Sequence, residues 1–301
     1  MIKIKNYHIY PIMYHYVHDK GYFNFKKLNI KSFKNQINFF KKKGNILNYD
    51  EFINIINTKK IPKKPSFLLT FDDGYKDNVN NILPILLKEK IKGFFYPPVK
   101  IFKKELLDVN KIHIILSKNK NIKKLLETVE IKLGNEYNQI LKKYKILFKT
   151  RYDDPYTLLF KRLFQYAIPK KKRMILLNEI FCKYIDMNES NIVKKIYINL
   201  NDLRSLKNEG MHIGIHGYDH LWWNEITTKE INDEILKSKK FFLSKKIKAD
   251  SVCYPYGGYN YKVTKIVRDN KFKFAFTTNP ISINKKVKKF EIGRFDTNDF
   301  K

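Results

Sequence analysis

The stretch Phe67–Gly74 ends an apolar run with two adjacent acids and a glycine. Residues 66–71 have the length and the apolar character of a short buried strand. A helix is predicted over about 77–90 and a second strand over about 92–96, which completes a β-α-β unit. Because such a unit joins two parallel strands, the chain is predicted to build a parallel sheet. The same alternation returns in the last third of the chain, so we expect an α/β barrel around one interrupted core.

Single residues set the predicted bounds of other elements. Pro11 lies within an apolar run near the start of the sequence, and its missing amide hydrogen predicts an edge strand or a break. Asn201 is the predicted N-cap of a helix that ends at Gly210. Thr227 and Glu230 have the spacing of a capping box, so a long helix is predicted to start there.

The character of the chain changes between residues 100 and 198, where Lys, Leu and Ile recur at helical spacing. We interpret this stretch as a helical insertion or lid. It separates a first part of the barrel, 1–99, from a second part, 199–301. Its length and position favour a cover over the rim of the barrel that selects the substrate.

The formal net charge of +32 raises the question of a nucleic-acid partner. Of the 61 basic residues only six are arginine, and the lysines are spread along the whole chain. Phosphate-binding surfaces favour arginine forks, so this distribution argues against a nucleic-acid binder. A basic surface can attract anionic lipid or an anionic carrier-linked substrate, and the alternative is a solvated surface without a partner.

The sequence contains no pattern typical of export. The first residues lack an apolar h-region, and no apolar stretch reaches the roughly 18 residues that span a bilayer. Cys182 and Cys253 are too few for a disulfide framework or a zinc ribbon. We therefore expect a cytoplasmic protein, or one bound peripherally at the inner face of the membrane.

Two histidines follow a predicted strand of the second barrel part. His216 and His220 are four residues apart, which brings both imidazoles to one face of a helix or a tight turn. The acid pair also ends a strand, and catalytic groups of α/β barrels gather at that rim. One carboxylate with two histidines leaves positions open for water and substrate, as in catalytic metal sites. Two ordinary surface histidines are the alternative.

These motifs together resemble one known family, the polysaccharide deacetylases, which are carbohydrate esterases that share the NodB homology domain. The resemblance is carried by "PIMYHYV" (11–17), "TFDDG" (70–74), the pair His216 and His220, "YPYGGYN" (254–260) and "GRFDTND" (293–299). It is nearest to the branch that resembles poly-N-acetylglucosamine deacetylases, which have an "MYH" motif near the site. The resemblance implies a distorted (β/α) barrel of the NodB type with a helical insertion.

The resemblance also implies a division of roles between the two acids. Asp73 would join His216 and His220 as a metal ligand, and Asp72 would be the general base. A carboxylate bound to a dication accepts a proton poorly, whereas its neighbour remains free to take one. The metal would be zinc, with cobalt, nickel, manganese or iron as alternatives.

The general acid is the main departure from the family pattern, because no histidine follows His220. His15 in the "MYH" motif is the candidate, and His18 is the alternative; a buried core histidine is the competing interpretation. The third motif also lacks the usual arginine that orients the base. Arg294 is assigned that role, in competition with a surface ion pair to Asp296.

Three aromatic residues are candidates for contact with the substrate. By resemblance, the backbone N–H of Tyr256 would stabilise the oxyanion. Trp222 and Trp223 follow the histidines closely, and one of them could stack on a sugar ring at the rim, although core packing is the alternative for the pair. His212 lies on the same strand face as His216, and we do not expect it to be a ligand.

The predicted function is the metal-dependent hydrolysis of an N-acetyl group on an amino sugar of a surface glycan or its precursor. The substrate is an N-acylated saccharide, either free or linked to a lipid carrier. Removal of a formyl or another acyl group from a carrier-linked amino sugar is an alternative that the sequence does not separate. A catalytically silent glycan-binding protein is a further alternative.

Overall fold

The computed structural model describes residues 2–144 and 153–300. The strands are β1 (Ile9–Tyr14), β2 (Asn45–Ile46), β3 (Ser66–Asp72), β4 (Phe94–Tyr96), β5 (His212–Ile213), β6 (Ser251–Cys253), β7 (Phe274–Phe276) and β8 (Phe295–Asp296). The helices are α1 (Ile30–Lys43), α2 (Tyr49–Thr58), α3 (Leu83–Lys88), α4 (Asp108–Lys118), α5 (Ile122–Leu133), α6 (Asn135–Tyr144), α7 (Pro155–Arg162), α8 (Lys170–Tyr184), α9 (Glu189–Ile196), α10 (Leu200–Asn208), α11 (Thr228–Ser244) and α12 (Tyr261–Asp269).

The described chain divides into two compact units. The first contains 2–20, 26–105 and 193–300 and holds all eight strands. The second joins Gly21–Phe25 to the described part of Leu106–Ile192 and is helical. Residues 145–152 of the predicted insertion lie outside the described residues. Within the described ranges, no helix has the length and apolar character that crossing a membrane requires.

The strands of the first unit are parallel. One sheet has the order β5-β4-β3-β1-β8, with β2 also paired to β3, and β6 pairs with β7. A bridge between Ile215 and Val252 extends the path from β5 to β6, and one between Phe276 and Ile292 extends it beyond β7. With helices between the strands, this path confirms the predicted distorted (β/α) barrel.

Strand β3 lies at the centre of the sheet and all seven of its residues are buried. The sequence of Ser66–Asp72 is a nearly continuous apolar run, as expected for a parallel strand that is covered on both faces. Because the strands are parallel, their carboxyl ends meet at one edge. Asp72 ends β3 at this edge, and the loops that follow β4, β5 and β6 also start there.

The prediction that Pro11 marks an edge strand or a break is wrong. Strand β1 runs without interruption through Pro11 and lies between β3 and β8. Pro11 is paired with Leu68 of β3, whereas the pairing with β8 begins only at Ile12. Because β8 is short, Pro11 has no partner among the described residues on the β8 side of β1. No hydrogen bond from its amide is needed there, so the missing amide hydrogen is tolerated.

The predicted N-cap of α10 is also wrong, by two residues. The cap is Asn199, whose side chain accepts hydrogen bonds from the backbone N–H groups of Asn201 and Asp202. The carboxylate of Asp202 accepts the N–H of Asn199 in return, so an aspartate completes this capping box. The capping box of Thr227 and Glu230 at the start of α11 is present as predicted.

Candidate active site

The acid pair is separated by a sharp change of backbone direction. Asp72 is the last residue of β3, and Asp73 has a left-handed φ of 65°. Gly74 follows with φ 64°, and a Cβ at this position would lie 2.7 Å from side-chain atoms of Pro97 and Ile101. Only glycine fits such a close turn without strain. The turn therefore directs the two carboxylates to different partners.

Asp73, His216 and His220 form a buried three-residue group. Asp73 Oδ1 lies 3.4 Å from His216 Nε2 and 3.3 Å from His220 Nε2, and the two Nε2 atoms are 3.1 Å apart. Within the described part of the chain, Asp73 Oδ1 has no hydrogen-bond partner, although it is buried. Such an atom needs another partner, because a buried polar group without one is costly.

The geometry of this group fits a divalent ion. Two ligand atoms that are each about 2.0–2.1 Å from a tetrahedral ion are about 3.4 Å apart, close to the observed separations. His216 Nδ1 lies 2.7 Å from the carbonyl oxygen of Cys253, so Nδ1 carries the proton and Nε2 presents its lone pair. Asp73 Oδ2 accepts a hydrogen bond of 2.7 Å from the hydroxyl of Tyr75, which leaves Oδ1 for the ion.

The turn that carries the two histidines is fixed from helix α11. The buried carboxylate of Glu234 accepts hydrogen bonds from the backbone N–H groups of Tyr218 and Asp219. Gly217 has φ 75°, and a Cβ there would lie 2.6 Å from Glu234 Oε2. Glu234 thus approaches the turn closely because residue 217 has no side chain.

The second acid, Asp72, is held by an arginine. Arg294 Nη1 and Nη2 donate to Asp72 Oδ1 and Oδ2 at 2.8 Å each. Arg294 is 1% exposed, and its Nε donates to the carbonyl of Thr277. Burial raises the pKa of Asp72, but the charge and the hydrogen bonds of Arg294 lower it further, so the pKa lies below its ordinary value. The alternative of a surface ion pair between Arg294 and Asp296 is wrong, because the guanidinium is buried against Asp72.

The structure separates the two candidates for the general acid. His15 Nε2 lies 3.9 Å from Asp72 Oδ2, and the side chain of His15 is 37% exposed, so it borders both Asp72 and solvent. His18 is buried, and its Nδ1 lies 2.7 Å from Asp77 Oδ2. This pairing matches the alternative of a buried core histidine for His18.

The aromatic candidates also have different environments. Trp222 is half-buried and stacks on Tyr256 at 4.8 Å, and Tyr256 in turn meets the ring of His220 at 4.5 Å. Tyr256 has a left-handed φ of 56°. Trp223 is 0% exposed and packs against Tyr254, so its prediction as a substrate contact is wrong. A fully buried indole has no face that a sugar ring could reach.

His212 is engaged in the core rather than with the acid pair. Its ring stacks on Tyr49 at a centroid distance of 4.2 Å, and its Nε2 lies 2.7 Å from Ser251 Oγ. Burial lowers its pKa from 6.5 to about 4. The imidazole is therefore neutral at ordinary pH.

Two residues that support the site were missed by sequence reasoning. Tyr75 directly follows the acid motif, and its position was the only signal for its hydrogen bond to Asp73. Glu234 lies in the middle of a long helix among charged residues, where a solvated carboxylate is the usual expectation.

Comparison with known proteins places the chain in a family. Residues 59–114 and 185–275 match the family model described as polysaccharide deacetylase. No curated protein matches the chain. The chain belongs to the polysaccharide deacetylase family, which confirms both the predicted family and the predicted enzyme class, a hydrolase of non-peptide carbon–nitrogen bonds.

Solved structures share the fold at low sequence identity. The deacetylase PplD of Streptococcus pyogenes, in complex with acetate, has a TM-score of 0.61 at 16% identity, over 97% of this chain and 93% of that one. IcaB from Ammonifex degensii has a TM-score of 0.56 at 14% identity, over 96% and 91%. A de-N-acetylase from Aggregatibacter actinomycetemcomitans has a TM-score of 0.56 at 15% identity, over 96% and 95%. These matches support the NodB-type barrel.

Replacement of Tyr75 by phenylalanine tests whether the hydroxyl of Tyr75 positions Asp73 for ion binding. The variant removes the hydroxyl that holds Asp73 Oδ2 and leaves the ring in place. Loss of such an outer hydrogen bond is expected to weaken the binding of a divalent ion to the three-residue group by about 10- to 100-fold, measured with zinc in competition with a chromophoric chelator. Tyr259→Phe is the matched control, because its hydroxyl accepts a hydrogen bond from Asn279 instead. Equal zinc affinities of the two variants would contradict the role of Tyr75.

His212 is expected to make the stability of the fold dependent on pH. The unfolded state takes up a proton below about pH 6.5, whereas the folded state does so only near pH 4. The stabilisation is therefore complete above pH 6.5 and is lost as the pH falls through 4. Between pH 7 and 4.5 the free energy of unfolding of the wild type should fall by about 2 kcal/mol more than that of His212→Phe. Urea denaturation at the two pH values measures this difference. If both proteins lost the same free energy of unfolding, the role of His212 would be excluded.

Proposed function

We propose that this protein hydrolyses the N-acetyl group of an amino sugar in a surface glycan or its precursor, with the help of a divalent metal ion. The observation that carries the proposal is the buried oxygen Asp73 Oδ1, which faces the Nε2 atoms of two histidines and has no hydrogen-bond partner in the described part of the chain. A base held by an arginine lies on the adjacent residue.

Asp73, His216 and His220 would hold the ion. One carboxylate oxygen and two imidazole nitrogens suit zinc, and cobalt, nickel, manganese or iron are the alternatives, because availability as well as affinity decides which metal is bound. Burial raises the pKa of Asp73 but the two histidines outweigh it, so the pKa lies well below its ordinary value and the carboxylate is ionised. When bound, such an ion would polarise the acyl carbonyl and lower the pKa of the attacking water.

Asp72 takes the proton of the attacking water. Both of its oxygens are fixed by Arg294, so the carboxylate cannot rotate away from the reacting atoms. The same pair keeps Asp72 ionised and ready to accept a proton. The arginine makes Asp72 a weaker base than a free carboxylate, which suits it to an acidified water rather than to a free one.

His15 returns a proton to the nitrogen of the leaving sugar. Its Nε2 lies 3.9 Å from Asp72 Oδ2, and its side chain is accessible from solvent, whereas Asp72 is buried. Protonation of this nitrogen allows the carbon–nitrogen bond to break, which releases acetate and a free amino sugar.

The aromatic pair of Trp222 and Tyr256 provides a surface for the sugar. The two rings are nearly parallel, at 16°, and Tyr256 contacts the ring of His220, so the pair borders the proposed metal ligands. Sugar rings stack on such faces. The backbone N–H of Tyr256 is the proposed donor to the oxyanion.

Two solved structures with the same fold support acetyl as the acyl group that is removed. One solved structure with the same fold is a deacetylase in complex with acetate, and another is a de-N-acetylase. A catalytically silent binding protein is disfavoured, because it would not need a buried base beside an ion-binding group.

The proposal predicts acetate release that depends on Asp72. The zinc-loaded protein should release acetate from oligomers of N-acetylglucosamine, and Asp72→Asn should lower the rate by about 100-fold or more because the amide cannot accept the proton. The control is Asp77→Asn, which alters an aspartate paired with His18. Both variants are first compared with the wild type by thermal unfolding.

Two results would contradict this proposal. Full activity of a folded Asp72→Asn variant would exclude Asp72 as the base. Release of formate from N-formylated oligomers, without acetate from the N-acetylated ones, would replace the acetyl group by a formyl group.

A further inference from the structure

The outward face of α11 exposes leucines among lysines. Leu236 is 56% exposed and Leu243 is 74% exposed, although leucine usually lies inside. The two are seven residues apart, which is two helical turns, so they share one face. Lys240 lies between them on the same face, and Lys237 lies beside it. We call this region, together with Lys245, Lys246 and Lys248 after the helix, the lysine–leucine surface.

The leucines are exposed although α11 is well packed, because other apolar residues of the helix fill its inward face. Ile231, Ile235 and Phe242 are fully buried on that side. Glu234 on the same side holds the turn that carries the two histidines. Rotation of the helix to bury the leucines would break these contacts. The inward face therefore packs against the core, and the outward face remains exposed to solvent.

The charge of the surface is strongly positive. The segment 237–248 contains five exposed lysines, namely Lys237, Lys240, Lys245, Lys246 and Lys248. Asp233 lies on the outward face as a single acid, one turn before Lys237. The segment thus combines a local excess of positive charge with exposed apolar side chains.

The loop after β4 extends the surface with the same chemistry. Phe102 is half-buried and stacks on Phe241 of α11 at 5.1 Å. Lys103 and Lys104, which follow it, are both exposed. Aromatic, aliphatic and basic side chains therefore continue from the helix into a second element.

We propose that the lysine–leucine surface docks on an anionic lipid membrane. Lysine clusters on an amphipathic helix are attracted to anionic headgroups, and apolar side chains beside them enter the boundary of the acyl chains. A polyanion such as nucleic acid would use the lysines but would leave the exposed leucines without a partner. The membrane is the partner that uses both.

Docking on this surface brings the reaction site close to the lipid. The helix that carries the surface also carries Glu234, which contacts the histidine turn. Lys237 Nζ lies 5.7 Å from the ring centre of Tyr218 in that turn. A saccharide attached to a lipid carrier would thus be presented near the turn, although the docking itself does not depend on the proposed function.

Vesicle co-sedimentation of the full chain tests the proposal. The wild type should bind vesicles of phosphatidylglycerol mixed with phosphatidylcholine, and should bind pure phosphatidylcholine much more weakly. Lys240→Glu with Lys245→Glu should weaken binding to the mixed vesicles by at least about tenfold, since each lysine near such a surface contributes about 1 kcal/mol. Leu236→Ser with Leu243→Ser should also weaken binding, and this loss should persist at high salt, where charge is screened.

Matched variants separate this surface from the general charge of the protein. Lys285→Glu with Lys286→Glu makes the same change in net charge at another exposed site, and Ile131→Ser with Ile175→Ser removes two exposed aliphatic side chains elsewhere. Both controls should retain wild-type binding. Equal losses in the control and test variants would overturn the proposal, as would the absence of binding to the mixed vesicles or equal binding to both vesicle types.

Discussion

The buried pair of Arg294 and Asp72 connects distant parts of the sequence at the centre of the site. Removal of two charges from water is expensive, and the cost is offset only when nearly every donor and acceptor finds a partner. Here Arg294 makes two hydrogen bonds to Asp72, one to Thr70 Oγ1 and one to the carbonyl of Thr277. Arg294 directly precedes β8, and its guanidinium contacts both β3 and Thr277, which directly follows β7. Loss of either charge would leave the other buried without a partner, so the fold and the proposed base depend on the same contact.

The adjacent acids owe their separate roles to backbone geometry. Successive side chains of a strand point to opposite faces, and the left-handed φ of Asp73 adds a turn directly after β3. One carboxylate is thereby directed to an arginine, and the other is directed to two histidines and a tyrosine. A single acid could not serve both purposes, because a carboxylate bound to a dication accepts a proton poorly.

Much of the site could be predicted from the sequence because its members lie in short local patterns. The acids and their glycine are contiguous, and the two histidines are four residues apart, so spacing alone indicates a shared face. The alternation of strands and helices likewise indicated the barrel. The Arg294 contact was harder, since Arg294 lies 222 positions after Asp72 in the sequence. It was predicted only because the usual arginine of the third motif is missing and Arg294, one of six arginines, lies in the motif "GRFDTND".

The errors arose where tertiary packing decided the outcome. Trp223 and Trp222 are neighbours in sequence, but only the structure shows that the first is enclosed by the core. Pro11 was misjudged because its tolerance depends on where the partner strand β8 begins. The contact between Glu234 and the histidine turn requires the packing of a helix against a loop, for which a single sequence carries no periodic signal.

The division of labour between the two acids is tested most directly by the zinc content of two single variants. Asp72→Asn and Asp73→Asn are purified in parallel, loaded with zinc, dialysed and analysed by elemental analysis. The account predicts that Asp72→Asn retains about one zinc per chain, like the wild type, whereas Asp73→Asn loses most of it, because Asp73 is the only one of the two acids that would coordinate the ion. Retention of zinc by Asp73→Asn together with its loss from Asp72→Asn would contradict the assignment.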